Sequence, residues 1–242
     1  MHLVWLFWSL LLIVVWLAVY FTLKRPESKH EMLVVSLWTS LLGLTEPLFV
    51  PAYWSPPALF DLARTTGFDI ESIIFSFGIG GLAVVLYERV FPVRHVHLTK
   101  EEMTNLRHKF HPLALLSAPI VFVVFLAFTH LNPIYDAIIA LVIGGLFTWY
   151  CRPDLKRKMV VSALLFLGLY FAYFYTLILF SPGYVGQVWN LPAISGILIL
   201  GVPVEELLFA FSFGFFWSSI YEHLTWRKAV AIERRNPSTY ED

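Results

Sequence analysis

The sequence predicts an all-α polytopic membrane protein: seven transmembrane helices arranged as two parallel three-helix repeats joined by a linker helix. Three observations carry this. The chain is 58% hydrophobic, 17% aromatic and only 14% charged, with runs of about twenty apolar residues, the length that crosses a bilayer as a helix. Of the 17 Lys and Arg residues, 16 fall in alternate loops. Finally, residues 68–88 align without gaps to residues 202–222.

The spans are placed at 3–23, 32–50, 68–87, 113–129, 133–151, 159–180 and 202–221. The first is too long for a signal-peptide core and lacks a basic leader and a small-residue cleavage site, so it reads as a retained span. The loops 24–31, 88–112 and 152–158 and the tail after 222 hold all the Lys and Arg except Arg64. Positive charge stays on the cytoplasmic side, so the N-terminus is expected outside and the C-terminus in the cytoplasm.

In the repeat, Glu71, Phe75, Phe77, Gly80, Tyr87 and Glu88 match Glu205, Phe209, Phe211, Gly214, Tyr221 and Glu222. With one gapped residue, Trp54 and Pro57 match Trp189 and Pro192. The offset pairs spans one to three with spans five to seven, in the same direction, so the halves should be related by a pseudo-twofold axis along the membrane normal. The implied units are 1–95, a linker with the fourth span at 96–132, and 133–242. The third and seventh spans are expected to meet near that axis, with Gly80 and Gly214 allowing close approach.

Glu46, Asp61, Asp69, Glu71, Asp136, Glu205 and Glu206 all lie toward the outer side, where Arg64 is the single basic residue. Desolvation and mutual repulsion both favour neutral carboxylic acids there, so an outer-facing site lined with proton donors is expected; Asp61 and Asp136 should instead face water. Pro203 suits the first turn of a helix, and Glu205 and Glu206 then sit at its dipole-favoured start. As a pure interface cap, the pair would only stabilise that helix.

The outer loops 51–67 and 181–201 carry Tyr53, Trp54, Tyr184 and Trp189, either as interface anchors or as the roof of a pocket whose contents become cationic. The apolar segment Ala193–Gly201 is too short to cross and should be re-entrant or interfacial. His95, His97, His108 and His111 follow no zinc spacing and read as a solvated basic face near anionic headgroups. The single Cys151 excludes a disulfide framework and a multi-cysteine metal site.

The halves, with Pro203-Val204-Glu205-Glu206-Leu207-Leu208-Phe209 and the preceding Trp and Pro, resemble the membrane-integral lycopene cyclases, known as paired three-span subunits or as fused chains. The family's Pro-x-Glu-Glu/Asp motif is complete in the second half. The first half reads Asp69-Ile70-Glu71-Ser72, lacking the proline and the second acid. The resemblance implies acid-catalysed closure of the open end of lycopene or a related linear carotenoid. A carboxylic acid would protonate the terminal double bond, the cation would close the ring, and a base would remove a proton. Glu205, Glu206 and Glu71 would be the acid and base groups, Glu205 favoured because its counterpart is also acidic. Trp54, Trp189, Phe75, Phe209, Glu46 and Asp69 would line the substrate. No metal or redox cofactor is implied, and Gly78-Ile79-Gly80-Gly81 lies inside a span, where it is no dinucleotide fingerprint. The expected partners are a linear carotenoid, the lipid bilayer and other carotenoid-pathway enzymes, with no nucleic acid.

Other classes fit less well. A retinal protein needs a Schiff-base lysine within a span, and the spans contain none. A transporter expects midplane sites reachable from both sides, whereas these acids cluster toward one face. No Asp-rich diphosphate motif suggests a prenyltransferase. A non-catalytic carotenoid- or lipid-binding protein of the same fold stays open as the alternative.

Overall fold

The computed structural model describes residues 3–232; Arg234 and Arg235, counted above with the basic tail, lie outside them. Eight helices carry the fold: α1 (Val4–Thr22), α2 (Pro26–Ser40), α3 (Ile70–Val90), α4 (His111–Phe128), α5 (Pro133–Cys151), α6 (Lys156–Phe180), α7 (Val204–Trp217) and α8 (Ile220–Thr225). Local chemistry sets their starts. Pro26 and Pro133 occupy first-turn positions, where a missing N–H costs nothing. The side chain of Asp69 accepts the backbone N–H of Ser72 and caps α3, and Asn132 caps α5.

Among the described residues, five helices are long and apolar enough to cross a membrane: α1, α3 and α5, and α4 and α6 with the helical turns that precede them. The expected second and seventh spans are helical but interrupted. α2 ends at Ser40 and tightens into a 3-10 segment, Leu41–Leu48, containing Gly43 and Pro47. α7 ends at Trp217 and resumes as α8 after Ser218-Ser219. Each uninterrupted α-helix is therefore shorter than the about 20 residues a crossing needs.

In the first half α3 packs on α1 and α2; in the second, α7 packs on α5 and α6. α3 also touches α6 and α7, which brings the halves together. Gly80 and Gly214 do not serve the contact expected of them. A Cβ on Gly80 would meet Thr39 of α2, and one on Gly214 would meet Ala163 and Phe166 of α6. Each glycine admits the neighbouring helix of its own half, because the α2–α3 and α6–α7 pairs are the close ones.

Short strands tie the two ends. β1 (Val93–His97) pairs antiparallel with β4 (Arg227–Ala231), His95 opposite Ala229. At the other end, Trp54 and Trp189 form an antiparallel bridge, their rings 5.5 Å apart. The segment expected to be re-entrant or interfacial, Ala193–Gly201, follows a 3-10 turn, Leu191–Ala193, and leads through a hairpin of β2 (Leu198–Ile199) and β3 (Val202–Pro203). Leu200 and Gly201 both have positive φ there, as a two-residue hairpin turn requires.

Two polar expectations are corrected. Asp136 does not face water: it is 1% exposed and accepts a hydrogen bond from Thr129 at 3.2 Å, because the connection from α4 to α5 is too short to hold their ends apart. Nor does the solvated face hold for His111, which is buried, or for His95. The side chain of His95 is buried among Glu31, Glu88 and Glu222, 3.0–3.3 Å from each. Lys158 joins the same cluster, with Nζ 3.1 Å from Glu31 and Glu88 and bonded to Glu222. Burial disfavours the charged imidazole, but its hydrogen bonds to the carboxylates of Glu222 and Glu88 and the charges of Glu31 and Glu88 outweigh it. His95 is pushed up to about 10.

Candidate active site

The expected acids come together at the end of the molecule that carries the Trp54–Trp189 bridge, but they divide into two kinds. Glu205 and Glu71 hold loops. Glu71 accepts the backbone N–H of Leu59 at 2.7 Å, and Glu205 accepts that of Ser195 at 2.9 Å and the Tyr135 hydroxyl at 2.7 Å. Both glutamates are wholly buried. Asp69 is occupied as the cap of α3.

Glu206 is different. It follows Glu205 in the first turn of α7, so its side chain points about 100° away and reaches a cavity of about 160 Å³. Its Oε1 accepts the Tyr53 hydroxyl at 2.5 Å and the Trp189 indole N–H at 2.9 Å; its Oε2 accepts the Tyr170 hydroxyl at 2.6 Å. Three donors from three segments thus fix one buried carboxyl in place. Burial and the adjoining Glu206 both push the Tyr53 phenol well up, so it stays a donor.

A second acid faces the same cavity. Glu46 is placed there by the 3-10 segment, which can lie against α3 because residue 43 is glycine. A Cβ at Gly43 would come within 2.6 Å of the Ile73 backbone. Glu46 is 6% exposed, beside Ser72 and Trp54, and its Oε1 has no hydrogen-bond partner among the described residues. The rest of the wall is aromatic: Trp5, Phe49, Trp54, Phe75, Phe174 and Phe209. Phe75 and Phe209 approach each other across Tyr170, with ring centroids 6.2 and 6.4 Å from it. A narrower apolar cleft shares Phe75 and Tyr170 and runs on between α1, α3 and α6, past Leu12, Ile79 and Phe166.

Residues 132–224 match the family model described as lycopene cyclase. This match supports a lycopene cyclase family assignment. The match includes Glu205, Glu206, Tyr170, Trp189 and Phe209; Glu46, Tyr53, Trp54 and Phe75 come from the half that precedes it. Lycopene cyclase family membership implies a carotenoid substrate and an enzyme of carotenoid biosynthesis. No curated protein and no solved structure matches the chain.

Of the nine site residues expected from the sequence, Glu206, Glu46, Trp54, Phe75 and Phe209 line the cavity. Trp189 stands behind it as a donor to Glu206, while Glu205, Glu71 and Asp69 hold the surrounding backbone. Sequence reasoning missed Tyr170 and Trp5 as site residues and noted Tyr53 only as a loop aromatic. Tyr170 did leave a signal, since a phenol inside an apolar span needs a partner when buried. Nothing local connected it to Glu206, 36 residues away.

Proposed function

We propose that the chain closes the ring at the open end of lycopene or a related linear carotenoid, by redox-neutral proton addition and loss, in the cavity shared by its two halves. The observation that carries this is one aromatic cavity holding two carboxyls in different surroundings, in a chain whose residues 132–224 match the lycopene cyclase family model. Such a difference separates an acid from a base.

Glu46, with an oxygen unpartnered, is the proton donor to the terminal double bond. Glu206, held by three donors, is the carboxylate that stabilises the cation and takes a proton from the closed ring. One proton is added and one removed, so the product is an isomer and no redox cofactor is demanded. Phe75, Phe209 and Trp54 offer π-faces to the cation and keep water from capturing it. The polyene lies along the apolar cleft between α1, α3 and α6. Glu205 and Glu71 act at one remove, holding the loops that roof the site; this moves the proposed proton chemistry from Glu205 to Glu206 and Glu46.

Seven spans in two parallel repeats remain the proposed layout, with the N-terminus outside. Support comes from the matched packing of α3 and α7 within their halves, and from the pairing of corresponding residues at both ends: Trp54 with Trp189, and His95 with Ala229 134 positions on. A pseudo-twofold axis passing through both pairs explains why they meet. The bilayer would supply the substrate laterally, and other pathway enzymes would be neighbours.

Expression in a lycopene-accumulating bacterium tests the activity. Cyclic product, with a red-to-orange or yellow shift, is expected. Unchanged lycopene in cells holding folded protein would favour a carotenoid- or lipid-binding role.

A further inference from the structure

Away from the cavity, three side chains converge that the sequence spacing keeps far apart. His111 opens α4, Cys151 closes α5 and His223 lies in α8. All three are buried, and each offers a ligand atom within 4.8 Å of the others'. Cys151 Sγ is 3.7 Å from His111 Nδ1. Two ligands bonded at about 2.3 and 2.0–2.1 Å to one tetrahedral zinc stand about 3.6 Å apart. Thr148 Oγ1 lies 3.4 Å from His223 Nδ1, which leaves Nε2 as the free nitrogen. That atom is fully buried and has no hydrogen-bond partner among the described residues.

We propose that His111, Cys151 and His223 bind one borderline-soft d10 cation of the zinc class. A thiolate and two imidazoles select zinc or Cu(I) over magnesium or calcium. The frame is held in advance. Arg152, next to Cys151, bonds Asp154, the Glu222 carbonyl at 3.0 Å and the Arg227 carbonyl at 2.5 Å, which fixes α8 against the end of α5. Trp226 stacks on His111 with ring centroids 3.8 Å apart and covers the site. Three protein ligands leave a fourth position for a solvent oxygen. The bound ion would pin the ends of α4 and α5 to α8, at the end remote from the cavity, and its binding is independent of the cyclisation reading.

The test is a titration of the full chain, purified in detergent and stripped with a chelator, with Co2+ alone and without carotenoid. The wild type should develop a thiolate-to-cobalt charge-transfer band saturating at one equivalent, displaced by Zn2+, or by Cu(I) should that be the preferred ion. Cys151→Ser should lose the band. His223→Gln should keep it but bind more weakly than the ~10–100-fold loss that follows a change in an outer partner of a ligand. Folded wild type that gives no band, or a band unchanged in Cys151→Ser, overturns the site. Because the wild-type titration decides by itself, a variant that fails to fold does not protect the proposal.

Discussion

Replacing Glu206 by Gln removes the carboxylate and leaves most of the geometry. The amide oxygen can still accept from Tyr53 and Trp189, which now meet at Oε1. The amide nitrogen would face Tyr170, whose hydroxyl must turn to accept rather than donate. Rearranging one neutral hydrogen bond costs about 1 kcal/mol of stability. Loss of a positioned acid–base group costs ~10²–10⁴ in rate, or about 3–5 kcal/mol of activation free energy. The two effects separate when cyclic product is divided by folded protein, measured by size-exclusion profile in detergent. Glu205→Gln is the matched control, because its Oε1 accepts from Ser195 and Tyr135 and an amide oxygen can do the same. Glu206→Gln should keep its folded yield and lose at least about a hundredfold in product, while Glu205→Gln keeps most of its activity. Full turnover in Glu206→Gln, or a larger loss in Glu205→Gln, would refute the division of roles.

Further outcomes follow from the packing and the charges. Gly43→Ala should lower both melting temperature and activity, since the new Cβ meets backbone at 2.6 Å and overpacking costs about 1–3 kcal/mol; an unaffected variant would detach Glu46 from the site. His95, raised from 6.5 to about 10, gives stability that is complete below about pH 6.5 and lost as pH rises through about 10, at up to about 1.4 kcal/mol per pH unit. Melting temperature in detergent should fall across that window, and His95→Gln should lose that part of the slope; equal slopes would contradict the buried imidazolium among Glu31, Glu88, Glu222 and Lys158. A reporter fused after Asp242 should read as cytoplasmic and one at the N-terminus as external; the reverse would overturn the proposed topology.

The helices were legible because apolar runs of span length are strong signals, and the acids and aromatic loops at one end were legible because they contradict those runs. Periodicity did not reveal where the second and seventh spans break, since Gly43, Pro47 and Ser218-Ser219 interrupt helices within otherwise apolar stretches. It could not separate Glu205 from Glu206 by role: both are buried, and only packing shows that one meets a loop N–H and the other a cavity. Glu46 entered as one acid among seven and gained its place from a 3-10 turn. Tyr170 and the buried setting of His95 depend on contacts across the whole chain, for which local sequence carries no register.

The central claim is that ring closure adds one proton and removes another without net oxidation. Purified protein given lycopene in deuterated water, with no nucleotide or flavin supplied, tests it directly. Each ring formed should carry one solvent deuteron, and the product should otherwise have the mass of its substrate. Cyclic product without deuterium, or no product from folded protein under these conditions, would contradict the account.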